Sequence, residues 1–159
     1  MRTKILTTTL VLVPVFGACS PASSYSDLDL CKITYNKYPD FRDDPALGKE
    51  YGELFTQDGV FSIGDTATQG REAIVERHKS AHTSAVWVHK LNKPVFNIEN
   101  GIIFAKGDVV VSTGPDKDNL NTRIEASYSD EFEVVGGVCR IKVRKTTVTK
   151  STQKNETKR

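Results

Sequence analysis

The chain has 159 residues, with 22 Lys and Arg against 20 Asp and Glu, 38% hydrophobic residues and 26% charged ones. That length suits one domain, since two would each sit near the lower limit for a self-sufficient core. A net charge of +2 argues against a nucleic-acid binder, which needs a large basic excess to release counterions, and no apolar run reaches the roughly 20 residues of a membrane span.

The first twenty residues read as an address. Arg2 and Lys4 give a positive start, residues 5–16 are mostly apolar, and the small Gly17 and Ala18 precede Cys19. This is the order of a secretory signal. The run Phe16, Gly17, Ala18, Cys19 resembles a bacterial lipobox, with Phe16 where Leu is usual. The resemblance implies a signal peptide over 1–18, a lipidated Cys19 as first residue of the mature chain, and a lipoprotein held on the membrane through its lipid anchor. Ser20 then fits the periplasmic face of the outer membrane; without lipidation the expectation is a secreted or periplasmic protein. Loss of Arg2 and Lys4 leaves 20 charges of each sign. Cys19 and residues to 26 form a lipidated cysteine and short tether. Cys31 and Cys139 remain as an even pair in an oxidising compartment. A disulfide between them is the favoured reading, and two buried free thiols are the alternative.

Residues 27–38 predict a helix with Asp27 as cap, Leu28, Cys31, Tyr35 and Tyr38 near one face, and Pro39 as its stop. Asp43, Asp44 and Pro45 start a second helix, with Asp44 as cap and Pro45 at the first helical position; it turns Leu47, Tyr51, Leu54 and Phe55 inward and ends at Asp58 and Gly59. Residues 60–63 read as a short strand. A third helix follows over 70–81, with Ile74, His78 and Ala81 on one side. The period then changes to two. Strands are expected at 86–91, 95–98, 102–112, 122–135 and 138–148, with a bulge at 92–94, tight turns at 99–101 and at Gly136 and Gly137, and a polar loop at 114–119. Residues 149–159 hold no apolar side chain and read as a disordered tail. The order predicts an α+β domain over 27–148, three helices on one face of a strongly curved antiparallel sheet. Such a cone leaves an apolar hollow for a small molecule at its open end.

Three segments carry a family resemblance: Leu54 to Phe61 (LFTQDGVF), Gly70 to Ile74 (GREAI), and Tyr128 to Phe132 (YSDEF) with the Gly136 and Gly137 turn and Arg140 and Ile141 after it. Together they resemble the SnoaL-like group of the nuclear transport factor 2-like superfamily, over 27–148. The resemblance implies the cone-shaped fold and, where members are enzymes, cofactor-free proton transfer in isomerisation, dehydration or cyclisation. The general-base Asp of the related steroid delta-isomerases falls at Ile63, which cannot take a proton. Their second Asp falls on Asp130. Alternation independently puts Asp130 on one strand face with Ile124, Ala126, Tyr128, Phe132 and Val134, where burial raises a carboxyl pKa. The resemblance also sets His89, beside Trp87 and Leu91 by alternation, at a position that often carries a cavity histidine.

Asp130 and His89 are therefore the candidate catalytic pair, and Tyr35, Tyr38, Trp87, Tyr128 and Phe132 the candidate pocket walls. Each also has a structural reading as a satisfied core or rim residue. Asp58 reads as a turn residue, and Arg71 and Glu72 as surface groups that open the third helix. His78 and His82 have a chelating i, i+4 spacing, but they lack the Glu of a zincin and sit where a helix C-terminus favours cations. No metal and no cofactor are expected. Two functions stay open: a lipid-anchored acid–base enzyme acting on a small apolar or aromatic molecule, and a non-catalytic ligand- or protein-binding module of the cell envelope. A homodimer through the outer face of the sheet is compatible with either.

Overall fold

The computed structural model describes residues 25–154. The segment expected as a signal peptide, Cys19 and most of the expected tether lie outside the described residues, as do residues 155–159. Helix α1 spans Asp27–Asp43 and is capped by Ser26, whose Oγ accepts from the backbone N–H of Asp29 at 3.2 Å. Cys31, Thr34, Tyr35 and Tyr38 are its buried stripe, the three-and-four spacing of a helix face. Pro39 does not stop the helix; it sits inside it. A proline there lacks one N–H and costs about 3 kcal/mol. Burial of the aromatic stripe offsets that cost, at roughly 1.5–3 kcal/mol per large side chain, and Phe41 beyond the proline packs on the core as well. The extra turn brings Arg42 and Asp43 into the protein interior's reach.

Asp44 caps a 3-10 turn, accepting from the N–H of Ala46 at 2.8 Å, and α2 follows over Gly48–Glu53. The second helix is shorter than expected, because Phe55 already opens β1 (Phe55–Ile63). Asp58 is thus a strand residue, bonded to Thr56 and Lys142. A short β2 (Thr66–Gln69) precedes α3 (Arg71–Ala81). Then come β3 (Val86–Leu91), β4 (Val95–Glu99), β5 (Ile102–Gly114), β6 (Thr122–Val135) and β7 (Val138–Gln153). Among the described residues no helix is long and apolar enough to cross a membrane.

The seven strands form one curved sheet in the order β2-β1-β7-β6-β5-β3, with β4 on the other half of β5. Leu91 faces Val109 while Val95 faces Lys106, so four steps on one side match three on the other. That is the bulge expected at 92–94. The sheet is mixed rather than wholly antiparallel, because β1 runs parallel to β7. Periodicity within a strand carries no information about so distant a partner. Strand β7 also outruns its expected end: Gln153 pairs with Thr122. Residues 149–153 are polar because both faces are exposed there, not because they form a tail.

The helices cover one face of the sheet. Helix α1 crosses β3, β6 and β7 and is tied to β7 by the Cys31–Cys139 disulfide, with Cα atoms 5.1 Å apart, a normal span for a bridge. Beside it, Thr34 Oγ1 donates to the Cys139 carbonyl at 2.8 Å. Close approach fixes one glycine: a Cβ on Gly107 would lie 2.5 Å from the Tyr35 hydroxyl, so the ring of Tyr35 needs the bare backbone of β5.

Candidate active site

Past the disulfide the cone opens into a cavity of about 460 Å³. The last turns of α1 contribute Tyr38 and Arg42, α2 contributes Tyr51, and α3 contributes Arg77 and His78. From the sheet come Phe61 and Ile63 of β1, Trp87 and His89 of β3, Ile124, Ala126 and Tyr128 of β6, and Thr146 of β7. Alternation along β6 explains the β6 wall, since every second side chain points at the helices. Ile63 stands on this wall, 37% exposed, so the position that the resemblance equates with the isomerases' general base is apolar here.

His89 is the titratable group with the strongest local arrangement. Its backbone N–H donates to Asp43 Oδ2 at 2.6 Å, and its Nδ1 is hydrogen-bonded to Asp43 Oδ1. The Nδ1 contact fixes the tautomer, with the proton on Nδ1, and leaves Nε2 as the nitrogen toward the cavity. Burial pushes the His89 pKa below its ordinary value, while the bond and charge of Asp43 pull it back up. Such a ring is neutral at pH 7 and able to accept a proton, and Asp43 stands ready to stabilise the imidazolium that results. Sequence reasoning missed this role of Asp43, because it ended α1 at Pro39 and put Asp43 at the start of the second helix, whereas Asp43 closes α1.

Asp130 is not beside His89. It pairs with Arg144: Nε to Oδ1 at 2.8 Å and Nη2 to Oδ2 at 2.5 Å, both side chains 0% exposed. Strand pairing dictates this, because Asp130 of β6 lies directly across from Arg144 of β7. Burial raises the Asp130 carboxyl pKa and Arg144 opposes it. On Arg144, burial works against the charge, but Asp130 outweighs it and raises the pKa above the ordinary value. The guanidinium also lies 3.8 Å from the ring centroid of Tyr38 and 4.3 Å from that of Tyr128, a cation–π stack on two sides. Asp130 and Arg144 thus lie behind the cavity wall and hold two of its tyrosines.

Tyr38, Trp87 and Tyr128 line the cavity as expected. Tyr35 and Phe132 do not; each packs against Phe96 in the closed end of the cone. Along β6, Ile124, Ala126 and Tyr128 face the hollow, whereas Asp130 is buried against Arg144 and Phe132 packs on Phe96. Burial pushes the Tyr35 hydroxyl up to about 12. Tyr51 was expected only as an inward core residue. Its hydroxyl lies 3.3 Å from that of Tyr38, and burial raises its pKa well above the ordinary value, as it does for Tyr128. Both therefore stay protonated donors. His78 stacks on Tyr51 at 4.8 Å and meets His82 at 4.6 Å between ring centroids.

A SnoaL-like domain matches residues 27–145, and the chain belongs to that family. Its sequence matches no curated protein. The solved structures similar to it include a proposed scytalone dehydratase of Novosphingobium aromaticivorans, 17% identical over 81% of this chain and 88% of that one, with a TM-score of 0.71. ActVI-ORFA of Streptomyces coelicolor is 18% identical over 76% of this chain and 96% of that one, TM-score 0.66. A Catenulispora acidiphila protein in complex with S-DNPA is 20% identical over 76% of this chain and 91% of that one, TM-score 0.65. At these identities the likeness is one of fold.

Proposed function

We propose that this protein is a cofactor-free acid–base enzyme of the isomerase, dehydratase or cyclase kind, acting on a small apolar or aromatic molecule. The observation that carries the reading is His89 on the wall of the cavity, backed by Asp43, which bonds its Nδ1 and its backbone N–H from behind that wall. His89 Nε2 takes a proton from a carbon next to a carbonyl, and the C–H electron pair moves toward the carbonyl oxygen. A tyrosine hydroxyl of the Tyr38 and Tyr51 pair donates to the negative charge that develops there. Return of the proton to a different carbon completes an isomerisation. Expulsion of a β-hydroxyl, protonated to leave as water, completes a dehydration. Asp130 has a structural part in this scheme, neutralising the Arg144 guanidinium that packs on Tyr38 and Tyr128. The named relatives support the small-molecule reading: one is called a dehydratase and one is seen with a bound small molecule.

The ring opening of 5-nitrobenzisoxazole tests the base without knowledge of the natural substrate, because it needs only removal of one acidic C–H proton. The full chain accelerates it, and His89→Gln returns it to the rate in buffer. An unchanged rate in the folded variant refutes the assignment, and no acceleration by the wild type favours the non-catalytic binding module.

The proposal extends to location: the signal peptide is removed, Cys19 is lipidated, and the domain sits in the cell envelope on the periplasmic face of the outer membrane. Labelled palmitate enters the wild-type protein and not Cys19→Ala. Equal labelling of both, or of neither, overturns the anchor.

A further inference from the structure

Two arginines face the cavity, and among the described residues neither has an acidic partner. Arg42 reaches it from the end of α1 and Arg77 from α3, and no Asp or Glu contributes to the wall. Neither forms an ion pair among the described residues. Both are held by aromatic faces instead: Arg42 lies 5.2 Å from the centroid of Trp87, and Arg77 lies 5.2 Å from that of Phe61. The polar contact of the Arg42 guanidinium is with His82 Nε2, at 3.0 Å from Nη1. The carboxylate next to it in sequence, Asp43, has both oxygens committed to His89. A half-buried arginine normally finds a carboxylate, because desolvating a charge without one is expensive. Here two share one hollow.

We infer that the cavity takes an anionic ligand, a carboxylate or an equally delocalised oxyanion on an aromatic or similarly apolar body, with Arg42 and Arg77 holding the anion. This rests on the reading of the cavity as a ligand site and names the class of molecule that fills it. A planar carboxylate matches the guanidinium fork and gains charge-assisted hydrogen bonds. An uncharged molecule of the same shape strips water from both guanidinium groups and returns nothing, so the two unpaired charges also select against it. The size agrees, since about 460 Å³ falls in the range of small-ligand pockets. The positive potential is felt inside the site as well. Burial drives the His78 pKa down to about 4, with Arg42 the next largest cause. The neutral floor of histidine and tyrosine rings therefore leaves the two arginines as the charge that an incoming anion meets.

The test compares 2-naphthoate with 2-naphthamide, which share a shape and differ in charge, by calorimetry on the purified full chain. The acid binds on the order of tenfold tighter or more, the size of a charge-assisted contact. Arg77→Gln and Arg42→Gln each remove most of that preference while leaving amide binding in place, and Arg77→Lys keeps part of it. Among the described residues Arg77 makes no hydrogen bond like that of Arg42 to His82, so its variants fold even if those of Arg42 do not. Equal binding of acid and amide by the wild type overturns the inference and spares the cavity as a ligand site. A preference unchanged in Arg77→Gln and Arg42→Gln overturns it too. Binding of neither probe defeats both readings together.

Discussion

Asp43 gives both of its carboxylate oxygens to one residue, accepting from the backbone N–H of His89 at 2.6 Å and bonding its Nδ1 with the other oxygen. The backbone bond fixes where β3 lies against the end of α1, and the ring bond fixes how the imidazole faces. Asp43→Asn keeps the shape and removes the charge. For opening of 5-nitrobenzisoxazole, His89→Gln should lower kcat by about 10²-fold or more, the usual worth of a general base. Asp43→Asn should lower it less, by roughly tenfold, because the ring survives and only its orientation and charge support are lost. A larger loss in Asp43→Asn than in His89→Gln, with both variants folded, would be incompatible with this division of roles.

The same pair sets the pH dependence. Burial holds the His89 pKa below the ordinary 6.5, against the pull of Asp43. A base must be unprotonated, so kcat rises with pH through that lowered pKa and is flat by neutral pH. Removing the Asp43 charge takes away a stabiliser of the imidazolium, so the limb of the profile moves to still lower pH in Asp43→Asn. A profile recorded between pH 4 and 9 decides it; a limb above pH 7, or one that climbs in the variant, counts against His89 as the base.

Asp130 and Arg144 predict a stability effect rather than a chemical one. Asp130→Asn leaves a guanidinium buried without its carboxylate and should cost about 3–5 kcal/mol. The double variant Asp130→Leu, Arg144→Met removes both charges and should recover most of it. It should also keep the 5-nitrobenzisoxazole reaction within a few-fold of wild type. A double variant that unfolds at the wild-type urea midpoint yet has lost the reaction would return Asp130 to the catalytic role.

Much of this architecture is legible in local pattern. Alternation places Tyr128 and Asp130 on the inner face of β6, and the Pro94 interruption marks the bulge against β5. The even pair that Cys31 and Cys139 make once Cys19 is set aside predicts the bridge seen here. What stayed hidden depends on distant partners. No property of β6 alone says that the residue opposite Asp130 is an arginine, which turns a catalytic acid into half of an ion pair. The parallel pairing of β1 with β7 is hidden for the same reason. Asp43 was within reach: it lies eight residues after Tyr35, two helical turns on, and only the strict reading of Pro39 as a stop excluded it. Burial of the aromatic stripe outweighed one missing hydrogen bond, a tertiary effect that propensity does not contain.

His78 predicts acid sensitivity of the fold. It is fully buried, neither ring nitrogen has a geometrically good partner, and its pKa falls from 6.5 to about 4. The unfolded chain therefore binds one more proton than the folded one between those values. Stability is complete above about pH 6.5 and is lost as the pH falls toward 4, by up to about 3 kcal/mol for this residue. His89, shifted the same way, adds to the slope. His78→Phe keeps a ring against Tyr51 and has nothing to protonate, so its urea midpoint should fall less between pH 7 and 4.5. Equal falls in both proteins would mean that His78 is solvated well enough to titrate normally.

The disulfide has a local consequence beyond its global one. It spans 108 residues, a loop whose closure is worth up to about 4–5 kcal/mol in the chain-entropy model. Reduction, or Cys31→Ala with Cys139→Ala, should lower the urea midpoint accordingly. Cys31 also stands on the helix that carries Tyr38, Arg42 and Asp43 to the cavity, two turns before Tyr38. Without the bridge, α1 keeps the Thr34 bond to the Cys139 carbonyl and its aromatic packing, so the helix stays docked but fluctuates more. Amide exchange on α1 should therefore quicken more than exchange on β5 and β6, and the loss of catalysis should exceed what the fraction unfolded explains. Uniform quickening across the domain, with activity tracking the folded fraction alone, would show the bridge acting only on the unfolded chain.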